Sequence, residues 1–157
     1  MKALLLALRA TIALLLCAEQ YALAAWAGPD IEATVAPVLR HQRIDQVERY
    51  EAGRLACFTW HFDKGRPAQA EDAGWTIRGD GIVYPYQRVR TIADSEDVGA
   101  GIILRPVKPG QWSRKCIDVP AALVDRPFEI TGFVEYRTRL TGRLWSIRQP
   151  TPEVSVP

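Results

Sequence analysis

The chain has 157 residues, with 20 basic and 18 acidic side chains and a formal net charge of +2. After removal of an export signal, this length suits one domain with one hydrophobic core. The balanced charge lacks the strongly basic character typical of nucleic-acid-binding proteins, so we expect no nucleic-acid partner. Only two histidines occur, which argues against a metal cofactor.

The first predicted element is a cleaved secretory signal peptide over residues 1–24. A basic amino terminus precedes an apolar run, and the sequence ending at Ala24 has the small residues of a cleavage site, as does that ending at Ala27. The alternative is an uncleaved anchor, but the longest uncharged apolar run, 10–18, is shorter than the roughly 20 residues that span a bilayer. We therefore predict a periplasmic or extracellular protein without a membrane span in the mature chain.

Two cysteines, Cys57 and Cys116, remain after cleavage, and an even number in an exported protein predicts a disulfide bond. Their spacing is similar to that of immunoglobulin domains. The tryptophan that follows the first cysteine of that family and the tyrosine that precedes the second are both missing here. The pattern therefore predicts the bond without assigning the family.

An amino-terminal segment, 25–53, leads into the predicted domain. Its part from Val38 to Tyr50 fits a weak amphipathic helix or a first edge strand, and the strand is favoured because its surroundings are β. Residues 54–63 alternate clearly, with Phe58, Trp60 and Phe62 on one face. We predict that this aromatic face points to the core and that Cys57 points away from it.

Short strands are predicted through the middle of the chain. A polar loop over 63–72 precedes strands at 75–77 and 81–92, which are joined by a Gly-Asp-Gly turn. Pro85 indicates a sheet edge, because proline cannot donate to a ladder. Further strands are predicted at 102–107 and 111–119, followed by a helical turn at 120–125.

The clearest hairpin lies between Arg126 and Pro152. Its first strand carries an apolar face from Phe128 to Tyr136, a turn follows at 139–143, and a return strand covers 144–147. Pro150 and Pro152 are expected to end that strand, leaving a Pro-rich tail over 151–157.

About seven short strands with Gly and Pro between them predict an antiparallel β-sandwich of immunoglobulin-like size over residues 54–150. A small β-barrel is the alternative.

The sequence contains no recognisable catalytic motif, and we predict no catalytic residue and no cofactor. His61 and Asp63 share one strand face and form a weak alternative metal pair that lacks a third ligand. The acidic clusters at Glu71/Asp72 and at 94–97 fall in predicted turns, where we expect them to be solvated.

Aromatic side chains near turns and strand edges are the remaining candidates for binding. Phe133 is the first of these because it interrupts the polar face of its strand. We therefore predict a non-catalytic binding or accessory module that engages an envelope protein or a cell-wall polymer, with a small envelope hydrolase or a strand-donating structural subunit as alternatives. The candidate binding residues are Phe133, Trp75, Tyr84, Tyr86, Trp112 and Trp145.

Overall fold

The computed structural model describes residues 2–85, 87–96, 105–139, 141 and 144–157. These residues form one amino-terminal helix and nine strands in two antiparallel sheets. The elements are helix α1 (Lys2–Val35) and strands β1 (Leu39–Tyr50), β2 (Leu55–Lys64), β3 (Ala68–Gly79), β4 (Ile82–Tyr84), β5 (Val89–Asp94), β6 (Gln111–Asp118), β7 (Phe128–Thr138), β8 (Ile147–Pro150) and β9 (Val154–Val156), with a 3₁₀ helix at Ala121–Leu123.

The two sheets pack as a sandwich. Sheet A has the order β1-β2-β6-β5, and sheet B has the order β4-β3-β7-β8 with β9 also paired to β7. Strand β3 pairs with one edge of β7. The opposite edge of β7 pairs with β8 along one part of its length and with β9 along another. The predicted sandwich is confirmed. The alternative of a small barrel is wrong, because the two sheets stay separate.

The core forms where the sequence alternation predicts it. Phe58, Trp60 and Phe62 of β2 are buried and face the buried apolar side of β7. Trp75 joins them, with its ring centroid 4.8 Å from that of Phe58 and 6.0 Å from that of Trp60. The tilted and edge-on ring geometries are the favourable ones for aromatic clusters.

Two glycines create room for aromatic rings on opposite faces of sheet B. Gly132 lies opposite Trp75 on the core face, and Gly74 lies opposite Phe133 on the outer face. A Cβ atom on Gly132 would lie 2.7 Å from the Trp75 indole, and one on Gly74 would lie 2.4 Å from the Phe133 ring. Each ring therefore lies directly against the backbone of the neighbouring strand.

We expect Gly132→Ala to lower the free energy of unfolding by about 2–3 kcal/mol, because the buried indole of Trp75 has no space to move away. Gly81→Ala is the control: a Cβ there meets no atom within 4 Å, and the cost is about 1 kcal/mol from the positive φ of that turn residue. Urea unfolding of both variants measures the difference. Equal losses would contradict the steric explanation.

Some predicted strand boundaries are wrong. β3 begins at Ala68, inside the predicted loop over 63–72, because it pairs with almost the whole length of β7. The return strand of the hairpin begins at Ile147, and it contains Pro150 instead of ending before it. Proline is tolerated there because β8 is an edge strand.

The predicted strand over 81–92 is divided between the two sheets. β4 is an edge of sheet B and β5 is an edge of sheet A, so the chain crosses between the sheets at Pro85. The edge position expected from this proline is confirmed, and so is the turn before β4, where Asp80 and Gly81 have positive φ. The predicted strand at 102–107 lies partly outside the described residues, and Arg105–Val107 form no strand.

Three other expectations are confirmed. Residues 39–50 form a strand at the edge of sheet A, residues 111–118 form β6, and the segment after β6 contains the expected helical turn. The tail over 151–157 contains β9, which pairs with β7 of its own chain at Phe128–Ile130.

Helix α1 continues from Lys2 to Val35 and includes Pro29. Its amino-terminal part is exposed, and Leu6–Val35 is long and apolar enough to cross a membrane, a test that a signal sequence near the amino terminus also passes. Both predicted cleavage positions, Ala24 and Ala27, lie within this helix. Its last turns pack against β8, which places residues 28–35 on the sandwich.

Candidate functional site

The outer face of sheet A, which points away from sheet B, is open to solvent along β1. The strand register places Arg43, His61 and Trp112 in one row across β1, β2 and β6. Asp45, Thr59 and Arg114 form the next row. This face therefore carries charged, polar and aromatic side chains on adjacent strands.

Two bulges in β1 add side chains to this face. They lie between Arg40 and Arg43 and between Asp45 and Glu48, and each contains a non-glycine residue with positive φ, His41 (48°) and Gln46 (51°). Such backbone angles cost of order 1 kcal/mol or more and persist where surrounding contacts hold them. The His41 imidazole contacts Asp63, and the Gln46 amide oxygen accepts hydrogen bonds from Thr59 and Arg114.

The two histidines form separate pairs with carboxylates. His41 Nδ1 lies 2.7 Å from Asp63 Oδ2, and His61 Nε2 lies 3.1 Å from Asp45 Oδ1. The hydrogen bond with His41, and then that donated by the Gly110 amide, hold the pKa of Asp63 below its usual range. The two members of the weak alternative metal pair therefore contact different residues: His61 contacts Asp45, and Asp63 contacts His41. Among the described residues, no three His, Cys, Asp or Glu side chains converge on a possible metal position.

Arg114 is the centre of a second group on the same face. Its guanidinium donates to Glu48 at 2.8 Å, and at 3.3 Å to the Thr59 and Tyr50 hydroxyls. Tyr50 also donates to Glu48. The Tyr50 hydroxyl and then Arg114 lower the pKa of Glu48, so this carboxylate stays ionised. These hydrogen bonds connect the four side chains across β1, β2 and β6.

The Cys57–Cys116 disulfide lies beside this group. The two residues are directly opposed on β2 and β6, with Cα atoms 4.0 Å apart, so the bond joins neighbouring strands of one sheet. The predicted pairing is confirmed, as is the prediction that Cys57 points away from the aromatic core. An immunoglobulin bridge instead connects the two sheets.

The predicted aromatic binding residues occupy different places. Trp112 is half-buried on the outer face of sheet A, opposite His61. Trp75 is only 4% exposed and belongs to the core, which Tyr84 also contacts. Tyr86 lies outside the described residues.

Phe133 lies on the outer face of sheet B, far from Trp112 in the fold. Its half-buried ring packs against Gly74, and the Arg148 guanidinium lies 3.4 Å from the ring centroid, a cation–π contact. Trp145 is also half-buried, and its indole packs on Gly28 of α1. The structure therefore does not bring the five described candidates together into one site.

Sequence reasoning missed Glu32, which joins α1 to the sandwich. Its carboxylate accepts hydrogen bonds from Arg66 at 2.8 Å, Thr138 at 2.9 Å, the Trp145 indole at 2.8 Å and the Thr141 hydroxyl. Burial alone would raise its pKa, but hydrogen bonds from Thr141, Trp145, Arg66 and Thr138 outweigh it and lower the pKa to about 2. A glutamate three residues after Pro29, at the end of an apolar helix, is the only local sign in the sequence.

A scan of the chain against protein-family models finds no match, and a search of curated proteins finds none either. The assignment of a function therefore depends on the residues and their geometry.

Proposed function

We propose that the chain is an exported, non-catalytic binding module of the cell envelope, and that the outer face of sheet A binds cell-wall polymer. The observation that carries this proposal is the position of Trp112 among polar side chains of that face. It lies opposite His61 on β2 and two residues from Arg114 on β6. An indole stacks on a sugar ring, and the surrounding side chains supply hydrogen-bond donors and acceptors.

The chemistry of the face favours a polar polymer over a protein partner. Charged residues are depleted at the centre of protein interfaces, whereas Arg114 lies on a central strand of this face and is bonded to Glu48 of β1. The exposed apolar helix at the amino terminus and the disulfide support export.

The test is co-sedimentation of the mature, oxidised protein with purified wall sacculi. We expect Trp112→Ala to weaken binding at least tenfold, because loss of an aromatic stacking partner removes a dominant contact. Phe133→Ser, on the outer face of sheet B, is the matched control and should bind like the unmodified protein. Circular dichroism establishes that both variants are folded.

Two other outcomes would contradict wall binding by the outer face of sheet A. Loss of sedimentation in Phe133→Ser alone would move the binding surface to sheet B. No sedimentation of the unmodified protein, with capture of one soluble envelope protein instead, would replace wall binding by an accessory role.

A further inference from the structure

The interior of the sandwich is polar at the β5 edge of sheet A. The register places Ser113 opposite Trp60 and Lys115 opposite Phe58, on the face of β6 that points to the core. On β5, Asp94 and Thr91 are the partners of the same two residues. A line of polar side chains therefore borders the aromatic core.

An ion pair between Asp94 and Arg105 lies at the centre of this region. Arg105 donates to both carboxylate oxygens, one of them at 2.8 Å, and each side chain is only 16% exposed. Burial raises the pKa of Asp94, but Arg105, the Glu96 amide and Ser113 lower it by more. The expectation that the acidic cluster at 94–97 is solvated is thus wrong for Asp94.

Among the described residues of this region, positive charges outnumber negative charges. Arg105 and Lys115 lie near the Asp94 carboxylate, Lys64 lies beside Arg105, and Glu96 pairs with Lys108. Lys64 donates to the carbonyls of Ala68 and Arg105, each at 2.8 Å. These contacts leave Lys64 and Arg105 with well-defined partners.

Lys115 keeps N–H groups that have no partner among the described residues. Its ammonium donates to the Thr91 hydroxyl at 3.0 Å, which uses one of its three N–H groups within the described part of the chain. Burial, and then the charge of Arg105, lower the pKa of Lys115 to about 8, against the opposite effect of Asp94. Beside it, Ser113 is fully buried; its hydroxyl lies close enough to Asp94 to lower the pKa of that carboxyl, and it makes no other hydrogen bond among the described residues.

We propose that Lys115, with Arg105 and the Ser113 hydroxyl beside it, forms a binding site for a small oxyanion at this edge of the sandwich. An oxyanion supplies acceptor atoms and negative charge for the Lys115 N–H groups that have no partner among the described residues. The site is separate from the outer face of sheet A, and it stands whether or not that face binds wall polymer.

The test measures thermal unfolding of the mature, oxidised protein at pH 7 with acetate or inorganic phosphate, against sodium chloride at equal ionic strength. An anion that binds the folded state raises Tm with its concentration. We expect such a rise, and we expect Lys115→Met to weaken the apparent affinity roughly tenfold or more, because a charge-assisted hydrogen bond is lost. Arg54→Met removes an exposed basic side chain just before β2, outside this cluster, and is the matched control.

The pH dependence identifies the group that binds. Affinity should fall as the pH rises through about 8, where Lys115 loses its proton. Asp94 has a lowered pKa, and burial raises the pKa of Tyr136, which faces Arg105 from β7, so neither group titrates there. Burial, and then the charge of Arg105, also lower the pKa of Lys64, so the loss of this pH dependence in Lys115→Met distinguishes the two lysines.

Stabilisation by both anions indicates a general oxyanion site, and stabilisation by phosphate alone indicates a phosphate-bearing ligand. No rise in Tm with either anion, or an equal rise in Lys115→Met, would overturn the proposal.

Discussion

Glu32→Ala should lower the free energy of unfolding of the mature protein by about 3–5 kcal/mol, the range for removal of one partner from a buried ion pair. The Glu32 side chain is 9% exposed, and its partners come from the β2–β3 connection, the end of β7 and the β7–β8 connection. Without the carboxylate, Arg66 keeps its charge but loses its anion. Its Nε and Nη2 atoms are already buried without a partner among the described residues.

The same contacts predict a loss of stability in acid. The pKa of Glu32 is lowered from 4.5 to about 2 in the folded protein, so its ionisation stabilises the fold fully above about pH 4.5. This contribution, about 3 kcal/mol, is lost as the pH falls from about 4.5 towards 2, because the unfolded chain then binds the proton more readily. Glu32→Gln should flatten the stability profile over this interval.

Urea unfolding from pH 2.5 to pH 7 measures both effects. Asp30→Ala is the control, because this exposed carboxylate lies two residues earlier in the same helix. If Glu32→Ala and Asp30→Ala were equally stable, the last turns of α1 would not be part of the folded domain.

Removal of the disulfide should cost about 4 kcal/mol. Cys57 and Cys116 are separated by 59 residues, and the chain-entropy model gives this value for a loop of that length. β1, β2, β6 and β5 belong to one sheet, and the bond joins its two central strands. The reduced protein therefore loses a covalent connection at the middle of the sheet that carries the candidate binding face.

Thermal unfolding of Cys57→Ala/Cys116→Ala, compared with the oxidised protein, tests this prediction. A reducing agent should lower the Tm of the unmodified protein to nearly the value of the double variant, and it should leave the variant unchanged. Insensitivity of the unmodified protein to the reductant, in a sample shown to contain free thiols, would show that the bond contributes little to stability.

The alternation of apolar residues was sufficient to predict the main strands. In β7 the residues that share one face with a period of two are the buried ones, because the pleat itself sets that period. In β2 the predicted core residues Phe58, Trp60 and Phe62 are buried, although Cys57 and Thr59 on the opposite face are buried as well. The turn before β4 was equally predictable, since Asp80 and Gly81 adopt the positive φ that their residue types favour. The disulfide followed from the cysteine count and the predicted export.

The local sequence pattern did not reveal which strands pair or which side chains lie next to each other on neighbouring strands. Asp94 was expected to be solvated, yet Arg105 and the core face of β6 enclose it. Lys115 looks like a surface lysine in the sequence, but its register with Phe58 turns it inward.

The sequence by itself determined the strand periodicity, the core faces of β2 and β7, the disulfide pair and the apolar amino-terminal segment, because each is encoded within a few residues or in composition. Only the tertiary structure decided the partners of Glu32, the position of Trp112 beside the polar groups of sheet A, and the charge excess around Lys115. Those contacts join residues up to 113 positions apart, as in Glu32 and Trp145. They depend on strand order and register, which are set when the sheets pair and pack together.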